Sequence, residues 1–270
     1  MKVIFMDIDG TLVNYETEMP DSAKKAVQKA MENGHRIYLT TGRSKAEVYS
    51  HLWDLGFHGM IGGNGMYIED NGVVIQDLVM TEEQTASAVD WMNKNDIGFY
   101  LESKNGLFGS DNFLSKAALI YGEDSEENRN RIRNIFPEMI FGGKLYRDDV
   151  AKISFCLSND KLEEAKKLFD GKLKVDSWSL TSKKQEFGEF AILGADKVNA
   201  VNLLLNHLGV GLEDTFAFGD AESDRQMIQY CKVGVAMGNA KEALKAVADY
   251  VTDDVNEDGL WNAFKKYALI

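Results

Sequence analysis

Over its first 80 residues the chain alternates short apolar runs with amphipathic stretches, and this pattern predicts strands and helices in turn. Val3-Ile4-Phe5-Met6 is an apolar run that stops at Asp7, the pattern of a strand buried on both faces. After Pro20, the residues Ala23, Ala26, Val27, Ala30 and Met31 recur at helical spacing, and Gly34 is placed to end that helix. Arg36 to Thr40 reads as a second strand. Ala46, Val48, Leu52 and Leu55 predict a second helix stopped by Gly56, and Met60-Ile61 predicts a short third strand. Asp70-Asn71-Gly72, between Met66-Tyr67-Ile68 and Val73-Val74-Ile75, predicts a hairpin. Strands separated by helices imply a parallel sheet with right-handed crossovers.

The middle of the chain changes character. Thr81-Glu82-Glu83-Gln84 reads as a capping box opening a helix to about Asn95. Strands are expected at Ile97 to Glu102, Ala151 to Leu157, Leu173 to Trp178 and Glu189 to Leu193, with helices at Ser125 to Phe136 and Lys161 to Phe169. This is an α+β pattern with several antiparallel candidates. The end returns to the first pattern. Val201, Leu204, Leu205 and Leu208 line a helix starting near Asp196, and short strands follow at Thr215 to Phe218, Val233 to Ala236 and Tyr250-Val251. The expectation is an α/β core built from both ends of the chain, residues 1–81 plus 189–270, with residues 82–188 inserted as a second domain hinged near Thr81 and Gly188.

Composition narrows the function classes. Net charge is −13, which argues against nucleic acid or an anionic membrane surface as partner. No apolar run reaches membrane-spanning length, and the opening Met1-Lys2-Val3-Ile4-Phe5-Met6 meets Asp7 too soon for a signal-peptide apolar region. Cys156 and Cys231 lie in separate segments without a CxxC, which fits reduced thiols and a cytoplasmic location.

Open parallel sheets bind ligands beyond the carboxyl ends of their strands. The first strand delivers Asp7, Asp9 and Thr11; side chains two apart on extended backbone share a side, so both acids leave the strand end together. Two close carboxylates repel unless a cation stands between them. The second strand delivers Thr40, Thr41, Gly42 and Arg43, the late helix brings Lys197, and the late strand brings Gly219, Asp220 and Asp224. Carboxylate oxygens of this kind suit Mg²⁺, and lysine with hydroxyls suits a phosphoryl group.

Asp7-Ile8-Asp9-Gly10-Thr11 resembles the first motif of the haloacid dehalogenase (HAD) superfamily, and Thr40-Thr41-Gly42-Arg43 resembles its second motif as found in Cof-type (subfamily IIB) phosphatases. Lys197 stands where the third motif has lysine, and Gly219-Asp220-Ala221-Glu222-Ser223-Asp224 resembles the fourth. The tract Gly234 to Ala240 and the tail Asp258-Gly259 also look like this subfamily. Ser223 departs from it, since Cof-type relatives usually have asparagine there. The resemblance implies a Rossmann-like core with an inserted C2-type cap. It implies a Mg²⁺-dependent hydrolase of small-molecule phosphate monoesters, a sugar phosphate or similar metabolite, working through an aspartyl-phosphate as monomer or weak homodimer.

Carried over residue by residue, Asp7 is the implied nucleophile and Asp9 the general acid and base. Mg²⁺ is implied at Asp7, the Asp9 backbone carbonyl and Asp220, with Asp224 supporting. Thr41, Gly42, Lys197 and Gly10 are the implied phosphate-binding residues, and Arg43, Asn64 and Ser223 the candidate substrate contacts. Plainer readings exist for several of these: Thr41 or Asp220 as helix N-caps, Asp224 as surface charge, and Gly62-Gly63-Asn64-Gly65 as a turn. The four histidines His35, His51, His58 and His207 show no ligand spacing. The aromatics Trp91, Phe99, Tyr100 and Trp178 read as core of the inserted domain. Two rival functions share parts of this constellation: a phosphomutase on the same core, and a phospho-receiver signalling module. A receiver has no general acid two residues after its nucleophile and no inserted domain.

Overall fold

The structure is a computed structural model that describes residues 1–157, 161–178 and 186–270. Among the described residues the strands along the chain are β1 (Val3–Met6), β2 (Arg36–Thr40), β3 (Gly59–Gly62), β4 (Tyr67–Asp70), β5 (Val73–Asp77), β6 (Phe99–Ser103), β7 (Gly106–Gly109), β8 (Met139–Phe141), β9 (Lys152–Cys156), β10 (Lys174–Trp178), β11 (Phe187–Ala191), β12 (Thr215–Gly219), β13 (Val233–Ala236) and β14 (Tyr250–Val251). They form two sheets, ordered β14-β13-β12-β1-β2-β3-β4-β5 and β10-β11-β9-β6-β7-β8. The chain divides into two compact units, Met1–Gly42 with Tyr49–Asp77 and Ala195–Ile270, and Arg43–Val48 with Leu78–Gly194.

The first unit holds the larger sheet. Its strands from β14 to β3 are parallel, and β4 and β5 add an antiparallel hairpin. Asn71 and Gly72 both take positive φ in the hairpin turn, which is why that dipeptide sits there. The strands are continuous apolar runs because helices cover the sheet. Ala23, Ala26, Val27 and Ala30 bury one face of the helix Asp21–Glu32, and Val201, Leu204 and Leu205 of the helix Lys197–Leu208 pack with Val3, Phe5 and Ala217. β1 and β12 are adjacent at the middle of the parallel order, with later strands added outward on either side. Their carboxyl ends therefore form the switch point at which such sheets bind ligands.

The second unit carries the six-stranded, largely antiparallel sheet. Alternation sorts its side chains. Phe99, Leu101, Ile153, Phe155 and Phe190 point to one face and pack with Trp91, Val89 and Ala165 of the helices Glu82–Lys94 and Lys161–Leu168. The Thr81–Gln84 capping box is present, Thr81 Oγ1 accepting from the Gln84 N–H at 3.1 Å. Trp178 stacks on Phe187 at 4.4 Å and Tyr100 packs with Phe113 and Phe136, so these aromatics belong to the core of this unit. Tyr100, Glu102, Lys152, Ser154 and Glu189 share the opposite face of the sheet.

The structure differs from the sequence reading at two places. The helix expected over Ala46 to Leu55 is broken: Lys45–Glu47 is a 3₁₀ turn, Val48 is extended, and only Ser50–Trp53 is helical beyond it. The apolar positions of that stretch serve two cores, Ala46 packing with the Tyr100 cluster of the second unit and Leu52 buried in the first. The strand expected from Glu189 begins at Phe187 and pairs with β9 and β10, so the expected boundary at 188 falls inside a strand of the second unit. The chain crosses between the units after Gly42, Val48, Asp77 and Gly194. Among the described residues no helix is long and apolar enough to cross a membrane.

Candidate active site

The site is assembled at the carboxyl ends of β1 and β12. Met6 is in register with Phe218, and the Asp7 N–H donates to the Phe218 carbonyl at 3.0 Å, so Asp7 is fixed as the last rung of that ladder. Two residues beyond Phe218, Asp220 begins the loop that leads to Asp224. The Asp224 carboxylate accepts the N–H groups of Ala221 at 3.1 Å and Asp220 at 3.3 Å, so this loop is wound around it. Gly219 is required for that winding, because a Cβ there would lie 2.5 Å from Asp224 Cβ.

Lys197 arrives from the other side. Asp196 caps its helix by accepting from the Asn199 N–H at 2.8 Å, which makes Lys197 the first helical residue. A cation is unfavourable at a helix N-terminus, and here carboxylates hold it. Its Nζ donates to Asp224 Oδ1 at 2.7 Å, to the Thr40 carbonyl at 3.1 Å and to Asp7 Oδ1 at 3.5 Å.

Asp220 is held by hydroxyls. Thr11 Oγ1 donates to its Oδ1 at 3.2 Å, and the Tyr15 phenol donates to its Oδ2. Gly10 makes this possible: its φ is +82°, and a Cβ there would stand 2.3 Å from Asp220 Oδ2.

Asp7, Asp220 and Asp224 are 7, 3 and 0 % exposed, and each offers a carboxylate oxygen within 4.8 Å of the other two. Burial, and then the Asp224 carboxylate, push the Asp7 carboxyl well above the ordinary range, with Lys197 opposing. Burial pushes Asp220 up to about 6 against the hydroxyls of Tyr15 and Thr11. Burial alone would lower the Lys197 ammonium, but Asp224 and Asp7 outweigh it and raise it. Three buried carboxylates beside one ammonium leave a negative excess that a divalent cation would offset, and the donor set of hard oxygens fits one.

The structure brings most of the expected residues together. Asp7, Lys197, Asp220 and Asp224 share one cluster. Asp9 follows at the same strand end, less buried, with its charge acting on Asp7. Thr41 is buried at the end of β2, its N–H bonded to the Ile61 carbonyl at 2.9 Å. It caps no helix, since Ser44 is the N-cap of the following turn; nor is Asp220 an N-cap, since Ala221 and Asp224 take those positions. Asn64 takes φ +54° and donates its N–H to the Thr41 carbonyl at 3.0 Å. Its side-chain amide lies against Gly42, and its Oδ1 is buried without a hydrogen-bond partner among the described residues.

Gly10, an implied phosphate-binding residue, donates its N–H to the Val13 carbonyl at 2.7 Å and leaves room for Asp220. Arg43 lies in the second unit, where Nη1 donates to the Glu47 carbonyl at 3.2 Å. Ser223 is exposed on the 3₁₀ turn Glu222–Asp224. Sequence reasoning missed Tyr15 and the role of Asn239, whose Nδ2 donates to the Gly10 carbonyl at 2.8 Å. No local pattern announces either, because each contact spans more than 200 residues of chain.

Comparisons with known proteins agree with this geometry. The model of a family described as haloacid dehalogenase-like hydrolase matches residues 4–264. The chain is 29 % identical over 272 residues to the Bacillus subtilis (strain 168) protein YkrA, covering 100 % of this chain and 98 % of that one. It is 28 % identical to the 5-amino-6-(5-phospho-D-ribitylamino)uracil phosphatase YcsE of the same organism, covering 100 % and 96 %. A solved structure of the HAD subclass IIB sugar phosphatase BT4131 superposes with a TM-score of 0.77 at 26 % identity, covering the whole of both chains. With a family match across nearly its whole length and the four motif segments converging on one strand-end cluster, the chain belongs to the haloacid dehalogenase-like hydrolases.

Proposed function

We propose that this protein is a Mg²⁺-dependent phosphatase that hydrolyses small-molecule phosphate monoesters through an aspartyl-phosphate on Asp7. The observation that carries this reading is the position of Asp7: a carboxylate fixed at the end of β1, with Lys197 Nζ at 3.5 Å and carboxylate oxygens of Asp220 and Asp224 within 4.8 Å. The names of YcsE and BT4131 support a phosphorylated metabolite as substrate.

Mg²⁺ held by Asp7, the Asp9 carbonyl and Asp220, with Asp224 behind, would neutralise charge as an anionic nucleophile approaches an anionic phosphate. The remaining chemistry belongs to the chain. An Asp7 carboxylate oxygen attacks phosphorus and the bond to the leaving oxygen breaks. Asp9 gives its proton to that oxygen, releasing the alcohol. Asp9, now ionised, takes a proton from water, whose oxygen attacks the phosphorus of the acyl phosphate. Inorganic phosphate leaves and the Asp7 carboxylate is restored. Lys197 and Thr41 hold the phosphoryl oxygens as their charge redistributes, while Asp224 keeps Lys197 aimed.

The test is phosphate release with Mg²⁺ across sugar phosphates, nucleotides, flavin phosphate and pyridoxal phosphate, for the wild type and Asp7→Asn. Steady release from at least one monoester, abolished in Asp7→Asn, is expected. A wild type inert toward every monoester, or an active Asp7→Asn, would overturn the proposal. Transfer of the phosphoryl group to a sugar without phosphate release would instead indicate a mutase.

A further inference from the structure

We propose that Tyr15 is a positioning residue for the divalent cation: its phenol fixes the Asp220 carboxylate in the orientation that binds metal and thereby sets metal affinity. This rests on the metal site proposed above and concerns a residue outside its ligand set.

Asp220 is gripped at both oxygens, Oδ1 by Thr11 and Oδ2 by Tyr15. Each oxygen keeps a further lone pair for a cation. A carboxylate held at both oxygens no longer swings about its terminal torsion, and outer partners of this kind commonly set the affinity of a metal site. Tyr15 and Asp220 are 205 residues apart, and their contact depends on Gly10, where a Cβ would stand 2.8 Å from the Tyr15 hydroxyl as well as 2.3 Å from Asp220 Oδ2.

The rest of Tyr15 makes a packing role a poor account of it. The residue is 61 % exposed, and its hydroxyl reaches into the buried cluster. Its backbone is nonetheless fixed. Asn14 Oδ1 accepts the N–H groups of Glu16 at 3.1 Å and Glu18 at 2.9 Å, its Nδ2 donates to Asn256 Oδ1 at 3.0 Å, and the Thr17 N–H donates to the Asn14 carbonyl at 2.9 Å. This tight turn aims the ring. Asn239 stands beside the hydroxyl and fixes the Gly10 peptide through its carbonyl. The sequence thus builds a support for one oxygen of one carboxylate.

The test compares wild type, Tyr15→Phe and Asp220→Asn by calorimetric titration of the metal-free proteins with MgCl₂, alongside their melting temperatures in EDTA. Tyr15→Phe is expected to weaken Mg²⁺ binding about tenfold, leave metal-free melting unchanged, and regain turnover when Mg²⁺ is raised. Wild-type affinity in Tyr15→Phe, while Asp220→Asn loses binding, would overturn the role of Tyr15 and leave the metal site standing. A joint fall in affinity and metal-free melting would mark a general structural role and overturn it too. A wild type that takes up no Mg²⁺ would sink the metal site, and this inference with it.

Discussion

Lys197 Nζ lies 2.7 Å from Asp224 Oδ1, in a pair whose side chains are 3 and 0 % exposed. Lys197 also reaches Asp7, so one ammonium ties a loop carboxylate to the proposed nucleophile. Removing one partner of a buried pair costs more than the pair itself contributes, because the other charge is left unsolvated.

Lys197→Met should therefore do two things. Turnover should fall at least about 100-fold, as for loss of one preorganised transition-state stabiliser. The metal-free protein should lose about 3 kcal/mol of stability, and Mg²⁺ should restore part of it. Steady-state kinetics and urea denaturation with and without Mg²⁺ measure both, and wild-type values on either axis contradict the assignment.

If the acidic cluster holds the proposed metal, binding there should depend on pH. Asp7 and Asp220 titrate above their unfolded values, Asp220 at about 6. A folded value that is raised stabilises at low pH; the contribution is whole below about pH 4 and is lost as pH rises through the folded value. In EDTA these two groups should therefore make the protein less stable at pH 7 than at pH 5, and Asp220→Asn should flatten that difference. Protons and metal compete for the same oxygens, so Mg²⁺ affinity should weaken as pH falls below about 6. Melting curves and titrations across this window decide the matter.

Gly10→Ala should damage the site without replacing a charged residue. The new methyl would stand 2.3 Å from Asp220 Oδ2, on backbone with φ +82°. Left-handed strain costs about 1–2 kcal/mol, and Asp220 must also turn away from Thr11 and Tyr15. Lower melting temperature and weakened Mg²⁺ binding together are expected; retained affinity would contradict the packing described.

The second unit carries its own buried charge cluster. Lys152 Nζ faces Glu102 Oε2 at 3.1 Å and Glu189 Oε2 at 3.7 Å, and Glu102 is fully buried. The Tyr100 hydroxyl donates to Glu47 Oε1 at 3.1 Å. Burial and Glu47 push the Glu102 carboxyl well up, while Lys152 and further contacts outweigh burial and lower Glu47. Lys152→Met should cost about 3 kcal/mol. Lys166→Met, which removes the exposed pair with Glu163, should cost less than about 1 kcal/mol. Equal effects in denaturant titrations would contradict the burial assigned to Lys152.

The sequence announced what depends on local pattern. Apolar runs marked β1, β2 and β12, Asn71-Gly72 marked the hairpin, and Thr81 with Gln84 marked a helix start, because each signal lies within a few residues. The strand-end acids were legible because a parallel sheet sends its functional residues to one edge. β7 and β8 were not: they are short, glycine occupies both ends of β7, and no alternation develops. The stretch from Ala46 to Leu55 misled because helical spacing does not say which core each residue enters. Tyr15 was invisible for a similar reason. An exposed tyrosine in a turn carries no mark of a carboxylate 205 residues away.

In the proposed reaction Asp7 carries the phosphoryl group. Acyl phosphates are reduced by borohydride, which would leave homoserine in place of the phosphorylated aspartate. Wild-type protein quenched during turnover of a good substrate, treated with borohydride and sequenced by mass spectrometry should show homoserine at position 7 alone, and Asp7→Asn should show none. Homoserine at another acidic position, or none in a wild type trapped while releasing phosphate, would contradict the account.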